Sequence, residues 1–166
     1  MKQLSEFATF AAGCFWGVEA AFRAVPGVLS TRVGYIGGST DSPTYKQVCR
    51  GKTGHAEAVE VTFDPAVFPY EGLLGVFWNK HNPRTRNRQG LDIGSQYRSA
   101  IFTDGPEQQA TASAAKERLE KTAGRFRRPL ATTIEPAPTF WAAEEYHQQY
   151  LEKQGRATSA LCARSD

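Results

Sequence analysis

The run Glu57-Ala58-Val59-Glu60-Val61-Thr62-Phe63 constrains the fold more than any other stretch of the chain. Side chains of a strand alternate between faces, so Val59, Val61 and Phe63 share one face, and apolar elements must cover it. The same alternation puts Glu57 on that apolar face. An unpaired carboxylate is costly there, so Glu57 is expected to be paired or protonated, and burial favours the protonated form. Glu57 is thus a candidate proton donor, with a buried salt bridge to an arginine as the competing reading. His55, two residues earlier on the same parity, reads as structural.

The rest of the chain supplies elements to cover that face. Residues 6–11 form a short apolar strand, and 18–25 have helical spacing until Pro26-Gly27 stops them. Residues 28–36 alternate Leu29, Thr31, Val33 and Tyr35 against polar or small residues, as a strand does. Gly37-Gly38-Ser39-Thr40-Asp41-Ser42-Pro43 breaks it. The connection to Gly54, carrying Tyr45 and Cys49, is the longest irregular one, and long loops in compact domains are usually functional. A helix is expected over 69–80, with Leu73, Leu74, Phe77 and Trp78 on its apolar side. An Arg- and Gly-rich loop over 81–95 leads to a strand over 96–102. An Ala-rich helix over 107–121 starts after Asp104-Gly105-Pro106 and ends at Gly124; a strand over 131–135 and a helix over 142–153 follow.

The first six elements, strand, helix, strand, strand, helix, strand, match the split βαβ, ferredoxin-like plan. The fold class expected is α+β: a two-layer sandwich with helices over one face of a mainly antiparallel sheet, long loops, and a C-terminal extension wrapping the outside. A length of 166 residues with 40% hydrophobic content suits one catalytic domain, residues 1–153, followed by a polar tail, 154–166, that carries Cys162. A formal charge of +3 and short basic clusters (Arg84-Thr85-Arg86-Asn87-Arg88 and Arg125-Phe126-Arg127-Arg128) argue against a nucleic-acid partner. The N-terminal residues lack an apolar signal core, and no segment approaches the ~20 apolar residues of a membrane span. A cytoplasmic, monomeric protein is expected.

Three cysteines, Cys14, Cys49 and Cys162, are too few and too far apart for a secreted disulfide framework. A zinc site built from them with His55 lacks a close Cys or His pair to anchor it, so no metal is expected. Cys14 stands out because Gly13-Cys14-Phe15-Trp16-Gly17 lies where a strand becomes a helix. Unpaired N–H groups at a helix N-terminus favour a thiolate, the nucleophilic form. Gly13 and Gly17 admit a close ligand, and Phe15 and Trp16 can wall an apolar pocket. A buried, inert cysteine in a packed turn is the alternative that the residue type itself favours. Tyr45 and Tyr97 offer phenolic hydroxyls for a polar oxygen, or simply pack with the hydroxyl wetted. Asp92 opens a polar loop entering a strand and fits a turn cap as well as a site residue. A cysteine hydrolase pairing Cys14 with His55 or His147 is a second enzymatic reading. A ferredoxin-like RNA-binding module is a non-enzymatic one, although the RNP1 pattern is missing.

Taken together, these segments resemble peptide methionine sulfoxide reductases of the A type. The matching runs are Gly13-Cys14-Phe15-Trp16-Gly17, Gly34-Tyr35-Ile36-Gly37-Gly38, Thr44-Tyr45-Lys46-Gln47-Val48-Cys49, Gly54-His55-Ala56-Glu57-Ala58-Val59, residues 87–99, and Ala143-Glu144-Glu145-Tyr146-His147-Gln148. They occur in order over nearly the whole chain. The resemblance implies that Cys14 attacks the sulfoxide sulfur of oxidised methionine, in proteins or as the free amino acid, and that Glu57 donates the proton. It implies that Tyr45 and Tyr97 bind the sulfoxide oxygen, that Phe15 and Trp16 hold the ε-methyl group and help select the S epimer, and that Asp92 orients water and substrate. Cys14 would become a sulfenic acid, resolved by Cys162 to a disulfide and reset by thioredoxin or another dithiol, with no further cofactor. Cys49 occupies a position implied to be structural. The chain departs from the family pattern in the single cysteine of its tail, in Arg84 and Arg86, and in Ala142 where proline is common.

Overall fold

The computed structural model describes residues 4–124 and 127–155. Six strands form one sheet: β1 (Glu6–Ala12), β2 (Val28–Ile36), β3 (Ala56–Phe63), β6 (Ser99–Thr103), β7 (Thr133–Pro136) and β8 (Trp141–Ala142), in the order β7-β6-β1-β3-β2-β8. Every pairing in it is antiparallel except β6 with β7. A separate hairpin pairs β4 (Arg88–Gln89) with β5 (Asp92–Ile93). The fold is therefore mixed α/β on a mostly antiparallel sheet.

Three helices, α1 (Phe15–Arg23), α3 (Tyr70–Lys80) and α4 (Pro106–Thr122), pack on one side of the sheet. The period-two pattern of β3 delivers what the sequence requires: Val59, Val61 and Phe63 enter a core with Phe10, Phe22, Leu73, Leu74, Phe77 and Ile101. Phe10 lies at its centre, with ring centroids 5.0 Å from Phe22 and 5.4 Å from Phe77. The opposite faces of the same strands are lined by small residues. Ala11, Ala56, Ala58 and Ala100 pack there with Ile36, Phe102 and Phe140.

Several sequence expectations change in detail. Residues 44–49, expected to be irregular, contain the short helix α2 (Tyr45–Cys49). It is closed by a capping box in which the Thr44 hydroxyl accepts from Gln47 N–H and Gln47 Oε1 accepts from Thr44 N–H. Five residues are too few to show a period, so only the cap marks the helix. Gln96 and Tyr97 belong to a 3-10 turn, Ser95–Tyr97, and the strand starts at Ser99. Leu29 is exposed, because a bulge between Val28 and Ser30 turns it out of the alternation.

The helix expected over 142–153 is not continuous. Trp141 and Ala142 instead pair with Tyr35 and Gly34 of β2, a 3-10 turn covers Glu145–His147, and only α5 (Tyr150–Lys153) is α-helical. Gly34 permits the pairing, since a Cβ there would lie 2.3 Å from the Trp141 carbonyl oxygen. Gln149, in the left-handed region at φ 50°, turns the chain into α5. Buried Gln148 sews this segment to β2: its Oε1 accepts from Val33 N–H at 2.9 Å, and its Nε2 donates to the carbonyls of Val33 and Ala143. Buried Glu19 of α1 completes the seam by accepting from Gln149 N–H at 2.8 Å, from Gln149 Nε2 at 2.9 Å and from the Thr31 hydroxyl at 2.7 Å. The wrapping tail and Cys162 lie outside the described residues. Among the described residues no helix is long and apolar enough to cross a membrane.

His81 closes the end of α3. Its Nδ1–H donates to the Phe77 carbonyl at 2.8 Å, so its Nε2 accepts from the Ser99 hydroxyl at 2.7 Å, and Ser99 in turn accepts from Thr132. Burial lowers the His81 pKa to about 4, with nearby Lys80 acting in the same direction. Between pH 6.5 and 4 the unfolded chain binds a proton at this residue that the folded chain refuses. Stability attributable to His81 is therefore complete above pH 6.5 and falls by roughly 2–3 kcal/mol as the pH drops to 4. Urea unfolding across this range should show that loss, and His81→Asn should flatten the slope. An unchanged slope in the variant would refute the assignment.

Candidate active site

The first turn of α1 carries the site. Gly13, at φ 95°, turns the chain out of β1, and Cys14 becomes the N-cap residue of the nine-residue helix. The helix has no side-chain cap of its own at this position. Instead, the N–H of Phe15 donates to Glu57 Oε1 at 3.1 Å. Glu57 is buried and arrives from the middle sheet strand β3, on the helix-covered side. Its hydrogen bond goes to the helix amide, which sets the carboxyl beside the cysteine, at the positive end of the helix.

Three aromatic residues wall the space next to it. Phe15 is buried, with ring centroids 5.8 Å from Tyr35 and 6.4 Å from Tyr45. Trp16 stacks on Tyr150 at 3.9 Å and 11°, and its Nε1–H donates to His147 Nδ1 at 2.9 Å. Tyr45 reaches into the same space from the start of α2. Burial first, and then the Glu57 carboxylate with smaller effects from Cys49 and Tyr97, push its pKa far up. Tyr45 thus remains a protonated hydrogen-bond donor at any working pH, within electrostatic reach of both Glu57 and Tyr97.

The β4–β5 hairpin brings the last of the sequence candidates. Asp92 is buried and pairs across the hairpin with Gln89, and Gln89 lies against Gly13, where an added Cβ would be 2.9 Å from Gln89 Cγ. Gly13 thus serves two needs, the left-handed turn and the close seat of the hairpin. Cys14, Phe15, Trp16, Tyr45, Glu57, Asp92 and Tyr97 consequently converge from five places in the chain, while Cys162 lies outside the described residues. Cys14 is disulfide-bonded and Cys49 is a free thiol. Partial desolvation of Cys49, with the Glu57 and Glu144 carboxylates, raises its pKa against the opposing hydrogen bond with Tyr45.

Glu144 is the site residue that the sequence reading quoted without giving it a task. Its Oε1 accepts from the Tyr35 hydroxyl at 2.8 Å and its Oε2 from the N–H of Tyr45 at 2.9 Å. Burial opposes its charge, but the Tyr45 and Glu144 backbone N–H groups and the Tyr35 hydroxyl prevail and hold the carboxyl below its usual value. Burial first, and then the same bond, raise Tyr35 far above the usual phenol value. A glutamate among polar neighbours has no periodic signature, and only its place in the run 143–148 marked it.

Neither histidine suits a cysteine hydrolase. His55 Nδ1 accepts from Gly38 N–H at 3.0 Å, and its Nε2–H donates to the Thr40 carbonyl at 2.7 Å, so both nitrogens hold backbone. His147 Nδ1 is engaged by Trp16. Among the described residues no group of three or more His, Cys, Asp or Glu is arranged to hold a metal ion.

Glu144→Ala should free the start of α2 and leave the Tyr35 hydroxyl unpaired. We expect a stability loss of about 2–3 kcal/mol by urea unfolding and about a tenfold rise in substrate KM through displacement of Tyr45. An unaltered KM in a folded variant would separate Glu144 from the site.

The family model for peptide methionine sulfoxide reductase matches residues 6–165. A peptide methionine sulfoxide reductase MsrA of Methanoculleus marisnigri is 61% identical over 150 residues, covering 90% of this chain and 91% of the relative. One of Methanothermobacter thermautotrophicus is 63% identical over 151 residues, covering 91% and 89%. Among solved structures, Mxr1 from Saccharomyces cerevisiae in reduced form is similar at a TM-score of 0.84 and 38% identity, covering 91% of this chain and 86% of that one. Methionine sulfoxide reductase A of Corynebacterium diphtheriae follows at 0.80 and 38%, covering 91% and 76%. With a cysteine at a helix N-terminus, a buried carboxyl beside it and aromatic walls around both, the chain belongs to the peptide methionine sulfoxide reductase family.

Proposed function

We propose that the chain reduces the S epimer of methionine sulfoxide, in proteins and as the free amino acid, through Cys14 and Glu57. The observation that carries this reading is the Glu57–Phe15 hydrogen bond, which fixes a buried carboxyl at the helix end that Cys14 caps. In the reduced enzyme the Cys14 thiolate attacks the sulfoxide sulfur. The helix N-terminus stabilises the thiolate, and desolvation next to that thiolate favours a protonated Glu57. As a carboxylic acid, Glu57 can accept from Phe15 N–H on Oε1 and donate a proton from Oε2 to the sulfoxide oxygen. Tyr45 and Tyr97 donate hydrogen bonds to that oxygen, Phe15 and Trp16 enclose the methyl group, and Asp92 orients water and substrate.

The electrons balance as a two-electron exchange between sulfurs. The sulfoxide S–O bond breaks, the oxygen with the Glu57 proton ends on Cys14 as a sulfenic acid, and methionine leaves reduced. The Cys162 thiol then displaces that oxygen as water and forms a disulfide with Cys14. Thioredoxin or a similar dithiol reduces the disulfide and takes up its oxidising equivalent. Two findings support this cycle: Cys14 is oxidised to a disulfide while Cys49 remains free, and the yeast relative of reported fold is seen with Trx2, at 24% identity and a TM-score of 0.62. The strand order β6-β1-β3-β2, with helices α1 and α3 linking its halves, supports the ferredoxin-like, split βαβ reading of the scaffold. A monomeric, cytoplasmic enzyme with no prosthetic group completes the proposal.

The test mixes fully reduced protein with methionine sulfoxide in the absence of reductant. About one methionine per enzyme and a Cys14–Cys162 peptide by mass spectrometry are expected. Cys162→Ser should release the same first methionine and fail to recycle with thioredoxin; Glu57→Gln should slow that first release by about 10²–10⁴-fold. Unchanged thiols with no methionine formed would refute the reductase reading, and full thioredoxin-supported turnover by Cys162→Ser would remove Cys162 from the cycle.

A further inference from the structure

We infer that His147 is a positioning residue that fixes the indole plane of Trp16, and thereby sets how closely the pocket fits a methyl group. The inference rests on the proposed role of Trp16 in holding the substrate methyl. An indole N–H is a donor only, so the 2.9 Å contact from Trp16 Nε1 requires a lone pair on His147 Nδ1. The imidazole is therefore neutral with its hydrogen on Nε2. Burial maintains this form by lowering the histidine pKa, against the opposing charge of Glu144.

The surroundings show that the ring is held in place. His147 is completely buried, with ring centroids 4.3 Å from Tyr45, 5.1 Å from Phe15 and 4.0 Å from Tyr146. Its backbone is set by the bonds of Gln148 and Gln149 that follow it and by those of Glu144 before it. Trp16, in contrast, is only partly buried, and in addition to this hydrogen bond has the stack on Tyr150. Stacking resists tilting of the indole out of plane, whereas rotation within the plane costs a stacked ring little. The hydrogen bond to Nδ1 opposes that rotation.

The other ring nitrogen sharpens the argument. Nε2 is buried and has no hydrogen-bond partner among the described residues. An imidazole kept only for packing would be improved by an apolar side chain of similar volume, because burying an unpaired N–H is unfavourable. The chain retains a costly ring whose one directed side-chain contact among the described residues is with Trp16.

A ring held at one angle discriminates between S-methyl and S-ethyl groups, since one methylene in a close apolar pocket changes selectivity by about tenfold or more. The experiment compares methionine sulfoxide with its S-ethyl homologue in wild type, His147→Leu, His147→Asn, Trp16→Phe and the Trp16→Phe/His147→Leu pair, with saturating dithiol. Asn offers an acceptor near the position of Nδ1, and Leu offers none. In His147→Leu we expect KM for the methyl substrate to rise about tenfold, with a smaller fall in kcat, and the methyl-over-ethyl preference in kcat/KM to drop by about fivefold or more. His147→Asn should recover most of the preference. In the Trp16→Phe background, which has no indole N–H, His147→Leu should alter the preference less than about twofold. Equal losses in the two backgrounds, or an unchanged preference in His147→Leu, would overturn the inference. If His147→Leu does not fold, nitrogen NMR of the wild-type protein decides: an unprotonated Nδ1 coupled to the Trp16 indole N–H supports it, and a protonated Nδ1 overturns it. A wild-type enzyme that releases no methionine would refute the reductase reading itself, whereas an active enzyme indifferent to His147 would refute this inference alone.

Discussion

The site depends on one hydrogen bond between elements far apart in sequence, from the first amide of α1 to a carboxyl of β3. The sheet is rigid because β3 is paired on both sides, with β1 and with β2. Glu57 transmits that rigidity to the helix start and fixes the turn on which Cys14 sits. In the proposed mechanism this one helix terminus serves two acidic groups of the reduced enzyme, the Cys14 thiol and the Glu57 carboxyl. Both ionise more readily at the positive end of α1 and repel each other if both do so, which favours a single proton shared between them, and nucleophilic attack and proton donation are proposed to start from that state.

The second dependence lies at the other end of the chain. The segment from Ala143 to Tyr150 contributes Glu144, His147 and Tyr150 to the site, yet has little regular structure of its own. It holds its shape through side-chain amide and carboxylate bonds to β2 and α1, chiefly those of Gln148 and Glu19. Polar side chains here do the work that a sheet ladder does elsewhere, and the side-chain oxygens and nitrogen of Gln148 and Glu19 find partners at low solvent exposure.

This division explains what the sequence disclosed. The strand pattern of β3 predicted both a covered face and Glu57 upon it, because a period of two survives in a single strand. Helices α1 and α3 are legible through the spacing of Phe22, Leu73, Phe77 and their neighbours, and α4 through its alanines, its start at Pro106 and its stop at Gly124. Residues 142–153 carry alanines, glutamates and glutamines of good helical propensity, which predicts a helix. Pairing of Trp141 and Ala142 with β2, and the left-handed turn at Gln149, override that propensity. Glu144 escaped assignment because its partners, Tyr35 and Tyr45, come from distant elements. The roles of Tyr45, Asp92 and Tyr97 came from the family resemblance. Local spacing alone left each of them equally compatible with packing or a turn.

The two described cysteines sit in opposite electrostatic settings. Cys14 caps the N-terminus of a nine-residue helix, where backbone N–H groups converge. Cys49 is the last residue of five-residue α2, at the negative end of that helix, where partial burial first and then the Glu57 and Glu144 carboxylates disfavour its thiolate. The same side chain is thus placed at opposite poles of two helices. A thiolate is stabilised at one and disfavoured at the other, although Cys49 is the more exposed of the two. Accessibility alone would point to Cys49, whereas the proposed mechanism uses Cys14. Helix polarity favours that assignment before any substrate contact is made.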